Sequence, residues 1–185
     1  MHGSIRKIAV AGMMGALSIV MGIVPGLGFI PVPTVAGKAT IMHLPVIIAA
    51  IAEGPVVGLM VGLIFGLMSF LQATAPAFAD PLVAIFPRLF IGVFAALAYR
   101  SLLRFGQVPA LIGAAVVGTA TNTGLVLTMG VLRGYWPPAA ALGVALTHGV
   151  PEVVVASIAV TAVGLALART GVIARASRSG HSTAS

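Results

Sequence analysis

Charged residues are scarce along this chain, and the apolar stretches between them are long. Of the 185 residues, 7% are charged and 59% are hydrophobic, whereas soluble domains average about 25% charged residues. So few charges cannot cover the surface of a water-soluble domain, and so apolar a chain does not stay disordered. The composition therefore predicts an integral membrane protein. No stretch is polar enough to form a tethered soluble enzyme.

The chain divides into apolar segments that match the roughly 20 residues of helix needed to cross a bilayer. Pro55 and the pair Asp80-Pro81 suit the first turn of a helix, whereas Gly149 and Pro151 interrupt the last apolar stretch. The predicted spans are 8–24, 41–53, 55–71, 80–103, 109–132 and 147–168, with a short outer helix at 139–146. The predicted fold class is an all-α integral membrane protein with six transmembrane helices.

The basic residues predict the orientation of these spans, because Lys and Arg favour cytoplasmic loops. With the N-terminus inside, seven of them fall on the cytoplasmic side: Arg6, Lys7, Arg100, Arg104, Arg169, Arg175 and Arg178. Lys38 and Arg133 fall outside. Both termini are therefore predicted to be cytoplasmic, with residues 1–170 as one transmembrane domain and 171–185 as a polar tail. The net charge of +7 is interpreted as a topology signal rather than as nucleic-acid binding.

Charged and strongly polar residues inside predicted spans are costly and need a reason. Arg88, Asn122 and Glu152 lie on three different spans, all in the outer half and at roughly 12–15 Å depth for the first two. One interpretation is a small-molecule site that opens outward. The other is an Arg88–Glu152 ion pair with Asn122 hydrogen-bonded across helices. Thr121 and Thr123 flank Asn122, and we expect at least one of them to bond its own helix backbone.

Other polar residues have simpler explanations. Asp80 suits a helix N-cap, and Glu53 suits a solvated helix end. His43 and His148 are single histidines, which usually form structural hydrogen bonds. The connection at 25–40 keeps apolar side chains among Gly and Pro and is interpreted as a lid over a pocket. Trp136 is interpreted as an interfacial residue, with stacking on a ligand as the alternative.

The absence of several motifs narrows the function. The sequence has no cysteine and therefore no disulfide or thiolate metal site. It has no P-loop, GxSxG or HExxH motif, and three acidic residues are too few for a carboxylate metal cluster. We expect neither a catalytic site nor a metal or other cofactor.

Small residues recur at four-residue spacing, which lets helices approach closely in a membrane. The third span carries Gly54, Gly58, Gly62 and Gly66, and the first span carries the pairs Ala11/Gly15 and Gly12/Ala16. Internal packing is the usual role of such ridges. A docking surface for another subunit is the alternative.

Four segments resemble the substrate-binding S components of energy-coupling factor (ECF) vitamin transporters. They are IMHLPVIIAAIAEGPVVGLMVGLIFGLMSF at 41–70, FPRLFIGVFAALAY at 86–99, GTATNTGLVL at 118–127 and HGVPEVVVASI at 148–158. The resemblance implies a six-helix membrane protein whose vitamin site lies in the outer halves of the last three helices, under the first outer loop.

On this chain the resemblance points to Arg88, Asn122 and Glu152 as ligand contacts. The full set of predicted substrate-binding residues is Arg88, Asn122, Glu152, Lys38, His148, Thr121 and Trp136. The cations Arg88, Lys38 and Arg133 suit a ligand with a carboxylate. Within the pantothenate, folate and riboflavin group, pantothenate is the first prediction and folate the second.

The resemblance also implies partners and a location. S components dock on a transmembrane scaffold subunit with two cytoplasmic ATPases, in the bacterial plasma membrane, and do not hydrolyse ATP themselves. The docking residues implied here are Ala11, Gly12, Gly15 and Ala16. Two alternatives remain open: an autonomous small-solute carrier or channel, and a haem-binding electron carrier that uses His43 and His148.

Overall fold

The described part of the chain forms a helical bundle with one two-stranded sheet. The computed structural model describes residues 2–24, 26–31, 38–73 and 75–173, so most of the predicted tail lies outside the described residues. In chain order the elements are α1 (His2–Ile23), β1 (Phe29–Pro31), β2 (Lys38–Thr40), α2 (Leu44–Glu53), α3 (Pro55–Gln72), a 3-10 turn (Pro76–Ala79), α4 (Pro81–Ala84), α5 (Phe86–Leu102), a second 3-10 turn (Leu103–Phe105), α6 (Gln107–Leu132), α7 (Pro138–Val144), a π-helical turn (Ala145–Gly149) and α8 (Val150–Arg169). Strands β1 and β2 pair antiparallel, with Ile30 opposite Ala39.

The predicted helical membrane fold is confirmed in outline. Among the described residues, five helical segments are long and apolar enough to cross a membrane: Ser4–Ile23, Pro55–Gln72, Pro81–Phe105, Gln107–Leu132 and Pro138–Arg169. The sixth apolar helix, α2, begins at Leu44 rather than at Ile41 and is only about 15 Å long. It is half the hydrocarbon thickness, but most of its residues are buried in the bundle.

Helix α2 is short because its last turn meets a glycine and a proline. Gly54 has φ = 97°, a left-handed conformation that L side chains rarely adopt. Pro55 then begins α3, where its missing N–H costs nothing. Helices α2 and α3 are therefore joined by the single residue Gly54 and form a tight helical hairpin.

The glycine ridge of α3 packs against α5, the internal role that its spacing favours. A Cβ built on Gly58 would lie 2.9 Å from the Cα of Gly92, and one on Gly62 would overlap the carbonyl oxygen of Arg88. A Cβ on Gly66 would lie 2.9 Å from the Cα of Ile85. Backbone therefore meets backbone along this pair of helices.

The last apolar stretch is continuous, although an interruption at Gly149 and Pro151 was predicted. The π-helical turn at Ala145–Gly149 joins α7 to α8 without a break. A proline inside a helix removes one hydrogen bond and its ring clashes with the carbonyl four residues earlier. The wider π turn occurs where the helix accommodates such an irregularity, so the sequence signal marks a local change of helix type rather than two helices.

Two of the three acidic residues pair with arginines near helix ends. Asp80 is the predicted N-cap, with Oδ1 accepting from the Leu82 amide at 3.0 Å, and its Oδ2 lies 2.6 Å from Arg133 Nε. The Arg133 guanidinium and the Leu82 amide hold the pKa of Asp80 below its usual range. The prediction of a solvated Glu53 is wrong: its side chain is 8% exposed and its Oε1 lies 2.6 Å from Arg6 Nε.

Candidate functional site

A cavity of about 690 Å³ lies at one end of the bundle, which we call the cavity end. Its size is in the range of small-molecule pockets. The polar residues that line it are Ser18, Thr40, Ser69, Gln72, Arg88, Asn122, Thr123, His148 and Glu152. Most of the remaining wall is formed by methionine, aromatic and aliphatic side chains, including Phe65, Phe78 and Trp136. An apolar wall with a few convergent polar groups is typical of a ligand-binding site.

Arg88, near the start of α5, provides the positive charge of the cavity. Its side chain is buried, its Nη1 donates to the carbonyl of Val83 at 2.7 Å, and its Nη2 lies 3.4 Å from Ser69 Oγ. The guanidinium carbon lies 5.5 Å from the ring centre of Phe65 and 5.2 Å from that of Phe78, within cation–π distance. Its Nε has no hydrogen-bond partner among the described residues.

Glu152, in the first turn of α8, provides the negative charge. Its Oε1 accepts from the backbone N–H of Thr40 at 3.1 Å, and its Oε2 accepts from the Thr123 hydroxyl at 3.1 Å. The carboxylate therefore joins α8 to both α6 and the end of β2. Arg88 and Glu152 do not form the ion pair that was one of the two interpretations, since the pairs formed among the described residues are Arg6–Glu53 and Arg133–Asp80.

Three more predicted residues line the cavity. Asn122 is 6% exposed, and its Oδ1 has no partner among the described residues. The Nδ1 of His148 is buried and likewise has none there. Trp136 packs so closely on Gly130 that any Cβ at that position would overlap its ring, and it meets Phe78 edge-on at 6.4 Å. The cavity thus presents an amide, an imidazole and an indole beside the two charges.

Two predicted residues are not brought to the cavity by the described structure. Thr121 does not line it, and its hydroxyl donates to the carbonyl of Val117 one turn earlier at 2.7 Å. Thr123 lines it instead, as expected if one of the two threonines bonds its own helix. Lys38 begins β2, but its side chain lies outside the described residues. Arg133, considered for a ligand carboxylate, is paired with Asp80.

His43 has the structural role expected of a single histidine. It is fully buried, and its Nε2 lies 2.9 Å from the Thr119 hydroxyl. His148, in contrast, lines the cavity. This arrangement gives the two-histidine haem alternative no support, because His148 lines the cavity and His43 does not.

Several lining residues were missed from the sequence. Ser69 and Gln72 lie near the end of α3, on the face that also carries Phe65, and Ser18 lies one turn before Gly22 on α1. The sequence did contain a signal for them. Residues three and four positions apart share one helix face, and Ser18, Ser69 and Gln72 are polar residues near the ends of apolar spans. Side chains of this kind also occur at membrane interfaces, so the pattern alone does not identify them.

The small residues of α1 divide between two faces. Ala11 and Gly15 are buried, and a Cβ on Gly15 would lie 2.5 Å from the side chain of Ile64 in α3. Gly12 and Ala16 are exposed, and a Cβ on Gly12 would meet no atom within 4 Å. The first pair serves packing within the chain, and the second pair lies on the outer surface.

Comparison with known proteins agrees with this architecture. A sequence profile described as "ECF transporter, substrate-specific component" matches residues 6–164. The chain is 32% identical to the pantothenic acid transporter PanT of Lactococcus lactis subsp. cremoris (strain MG1363), over 71% of this chain and 79% of that protein. Its fold is similar to that of ThiT from Listeria monocytogenes, with a TM-score of 0.66 at 17% identity, covering 90% of this chain and 97% of the other.

Proposed function

This chain belongs to the substrate-specific (S) components of ECF transporters, and from that premise we propose that it captures pantothenate in the cavity and passes it to an ATPase-driven scaffold. As a member of this family it is a multi-pass membrane component of vitamin uptake, not an enzyme. The choice of pantothenate is supported by the relative that is named a pantothenic acid transporter. Folate is the second candidate.

The observation that carries the proposal is the buried guanidinium of Arg88. It lines the cavity, and no carboxylate of the described residues lies within ion-pair distance of it. A buried charge without a partner is costly, so an anionic ligand stabilises this site by supplying the missing charge. The carboxylate of pantothenate is such a group, and a charge-assisted hydrogen bond to an arginine is among the stronger ones.

Other cavity residues suit the rest of such a molecule. The unpartnered Asn122 Oδ1 accepts from an amide N–H, and His148 Nδ1 offers a further hydrogen bond to a ligand. Trp136 and Phe78 supply an apolar wall for methyl groups. Lys38 stays in the proposal as a second cation, because it begins strand β2 and Thr40 of the same strand lines the cavity. Thr121 does not, because its hydroxyl is bonded to its own helix.

The remaining parts of the proposal concern the assembly. We propose that the exposed Gly12/Ala16 face of α1 docks on a transmembrane scaffold subunit that carries two cytoplasmic ATPases. We also propose that both termini are cytoplasmic, that the bilayer is the bacterial plasma membrane, and that residues 1–170 act as one substrate-binding domain. The excess of basic residues at the end of the bundle opposite the cavity supports this orientation.

The ligand is tested by purification in detergent, mass spectrometry of the small molecules that are released, and thermal-shift measurements with a vitamin panel. We expect pantothenate to co-purify or to raise the unfolding temperature. In calorimetric titration, Arg88→Gln should weaken pantothenate binding by about tenfold or more, the cost of a lost charged hydrogen bond. The control Arg133→Gln removes a cation that is paired outside the cavity, and it should leave the affinity within about threefold.

Absence of any vitamin-dependent shift would overturn the proposal. Equal affinities of wild type and a folded Arg88→Gln variant would make Arg88 structural. The autonomous-carrier alternative is tested separately in liposomes: the purified chain alone should bind pantothenate but sustain no uptake. Uptake by the chain alone, without an ATPase module, would favour the alternative.

A further inference from the structure

The acidic residues of this chain are distributed so that one of them is left for the cavity. The sequence has three, and all three are described. Glu53 is paired with Arg6, and Asp80 is paired with Arg133. Glu152 lines the cavity. Among the described residues, its hydrogen-bond donors are the Thr40 amide and the Thr123 hydroxyl, which are both neutral. The cavity therefore contains one buried cation, Arg88, and one buried anion, Glu152, and these two side chains do not pair with each other.

The two charges lie on different walls. Arg88 on α5 contacts residues of α3 and of the 3-10 turn before α4, namely Ser69, Phe65 and Phe78. Glu152 on α8 contacts the end of β2 and α6. Helix α6 packs against both α5 and α8, and it carries Asn122 into the cavity between them. A ligand that reaches both walls meets positive charge at one end and negative charge at the other.

We propose that Glu152 is a specificity-determining residue, which accepts hydrogen bonds from neutral donors of the ligand and excludes a second negative charge. This inference rests on the proposed function. A carboxylate offers about four lone-pair sites, and the structure shows one accepted hydrogen bond on each oxygen. The remaining sites suit hydroxyl groups, which pantothenate carries at the end opposite its carboxylate.

The consequence is selection by charge. A phosphate ester on the terminal hydroxyl of pantothenate would bring negative charge next to Glu152. Two like charges about 6 Å apart in a partly buried site weaken binding by a factor of about 100. An acetate ester of the same hydroxyl adds comparable bulk without charge. The cavity should therefore reject the phosphate ester far more strongly than the acetate ester.

The first test needs only the wild-type chain. Calorimetric titration of the wild-type chain compares pantothenate, its acetate ester and its phosphate ester. We expect the phosphate ester to bind at least about tenfold more weakly than the acetate ester. Equal weakening by both esters would overturn the inference, because it would mean exclusion by size.

The second test removes the charge. Glu152→Gln keeps the shape and can still accept from the Thr40 amide, so the ratio of the phosphate-ester and pantothenate dissociation constants should fall by about tenfold or more. The control Glu53→Gln makes the same change in net charge at the far end of the bundle and should leave the ratio unchanged. An unchanged ratio in folded Glu152→Gln overturns the inference alone. Failure of the wild type to bind pantothenate, seen before any variant is made, overturns the proposed ligand and this inference together.

Discussion

The close contact between α3 and α5 makes Gly62→Ala an informative substitution. A methyl group at this position would overlap the carbonyl oxygen of Arg88 and lie 3.1 Å from its carbonyl carbon. Both atoms are backbone, so no side-chain rotation can relieve the overlap. The two helices must therefore separate by roughly an ångström to restore ordinary contact.

The size of the effect follows from two opposing terms. Overpacking of this kind costs about 1–3 kcal/mol, whereas replacing glycine by alanine within a helix gains up to about 1 kcal/mol. The matched control is Gly124→Ala in α6, where a Cβ would meet no atom within 4 Å, so that this variant has the gain without the overlap. The difference in stability between the two variants measures the overlap itself.

The assay is thermal unfolding of the purified variants in detergent, with and without pantothenate. A chain of this size changes its unfolding temperature by about 2–4 °C per kcal/mol. Gly62→Ala should therefore unfold several degrees below Gly124→Ala. It should also bind pantothenate more weakly, because the displaced backbone is that of Arg88. Equal unfolding temperatures for the two variants would refute the proposed backbone-to-backbone packing of α3 and α5.

Further predictions concern the outer face of α1 and the Asp80 pair. Gly12→Leu should leave folding and ligand binding intact but reduce recovery of the scaffold subunit and its ATPases in a pull-down. Gly15→Leu should instead lower the unfolding temperature, because the new side chain meets Ile64. Identical behaviour of the two variants would contradict the assignment of Gly15 to the buried face of α1 and Gly12 to the exposed face. Because the pKa of Asp80 is lowered on folding, its contribution to stability is present above the ordinary value of 3.8 and is lost as the pH falls through the folded value. Asp80→Asn should therefore flatten the pH dependence of the unfolding temperature in acid, and a slope equal to that of the wild type would show that the contact with Arg133 contributes nothing.

Local rules predicted the helix boundaries that depend on neighbouring residues. Asp80 is an N-cap and Pro55 begins a helix, because capping and proline geometry involve only the adjacent turn. The glycine ridge predicted close packing, since four-residue spacing alone aligns the glycines on one face. The resemblance to S components was likewise visible in four segments of sequence, and the family match confirms it.

Contacts between distant segments were not predictable in the same way. The hydrogen bond from the Thr40 amide to Glu152 joins residues 112 positions apart, and no local pattern indicates it. Depth along the helices suggested that Arg88 and Glu152 were neighbours, but depth does not specify the order of helices around a cavity. For Glu53 the error was similar: the partner, Arg6, belongs to another helix, and its approach depends on packing.

The packing of α3 on α5 has a mechanical consequence for the cavity. Glycine backbones in direct contact have no side chains between them to compress or rotate, so the wall that carries Arg88 cannot yield without separating two helices. The wall formed by α7 and α8 contains the π-helical turn at Ala145–Gly149, a type of irregularity that is frequent at functional sites. We therefore expect the cavity to adjust to its contents through α7 and α8. In amide hydrogen exchange, the backbone amides of α3 and α5 should exchange slowly with or without ligand. Protection that depends on the ligand should appear in α7 and α8.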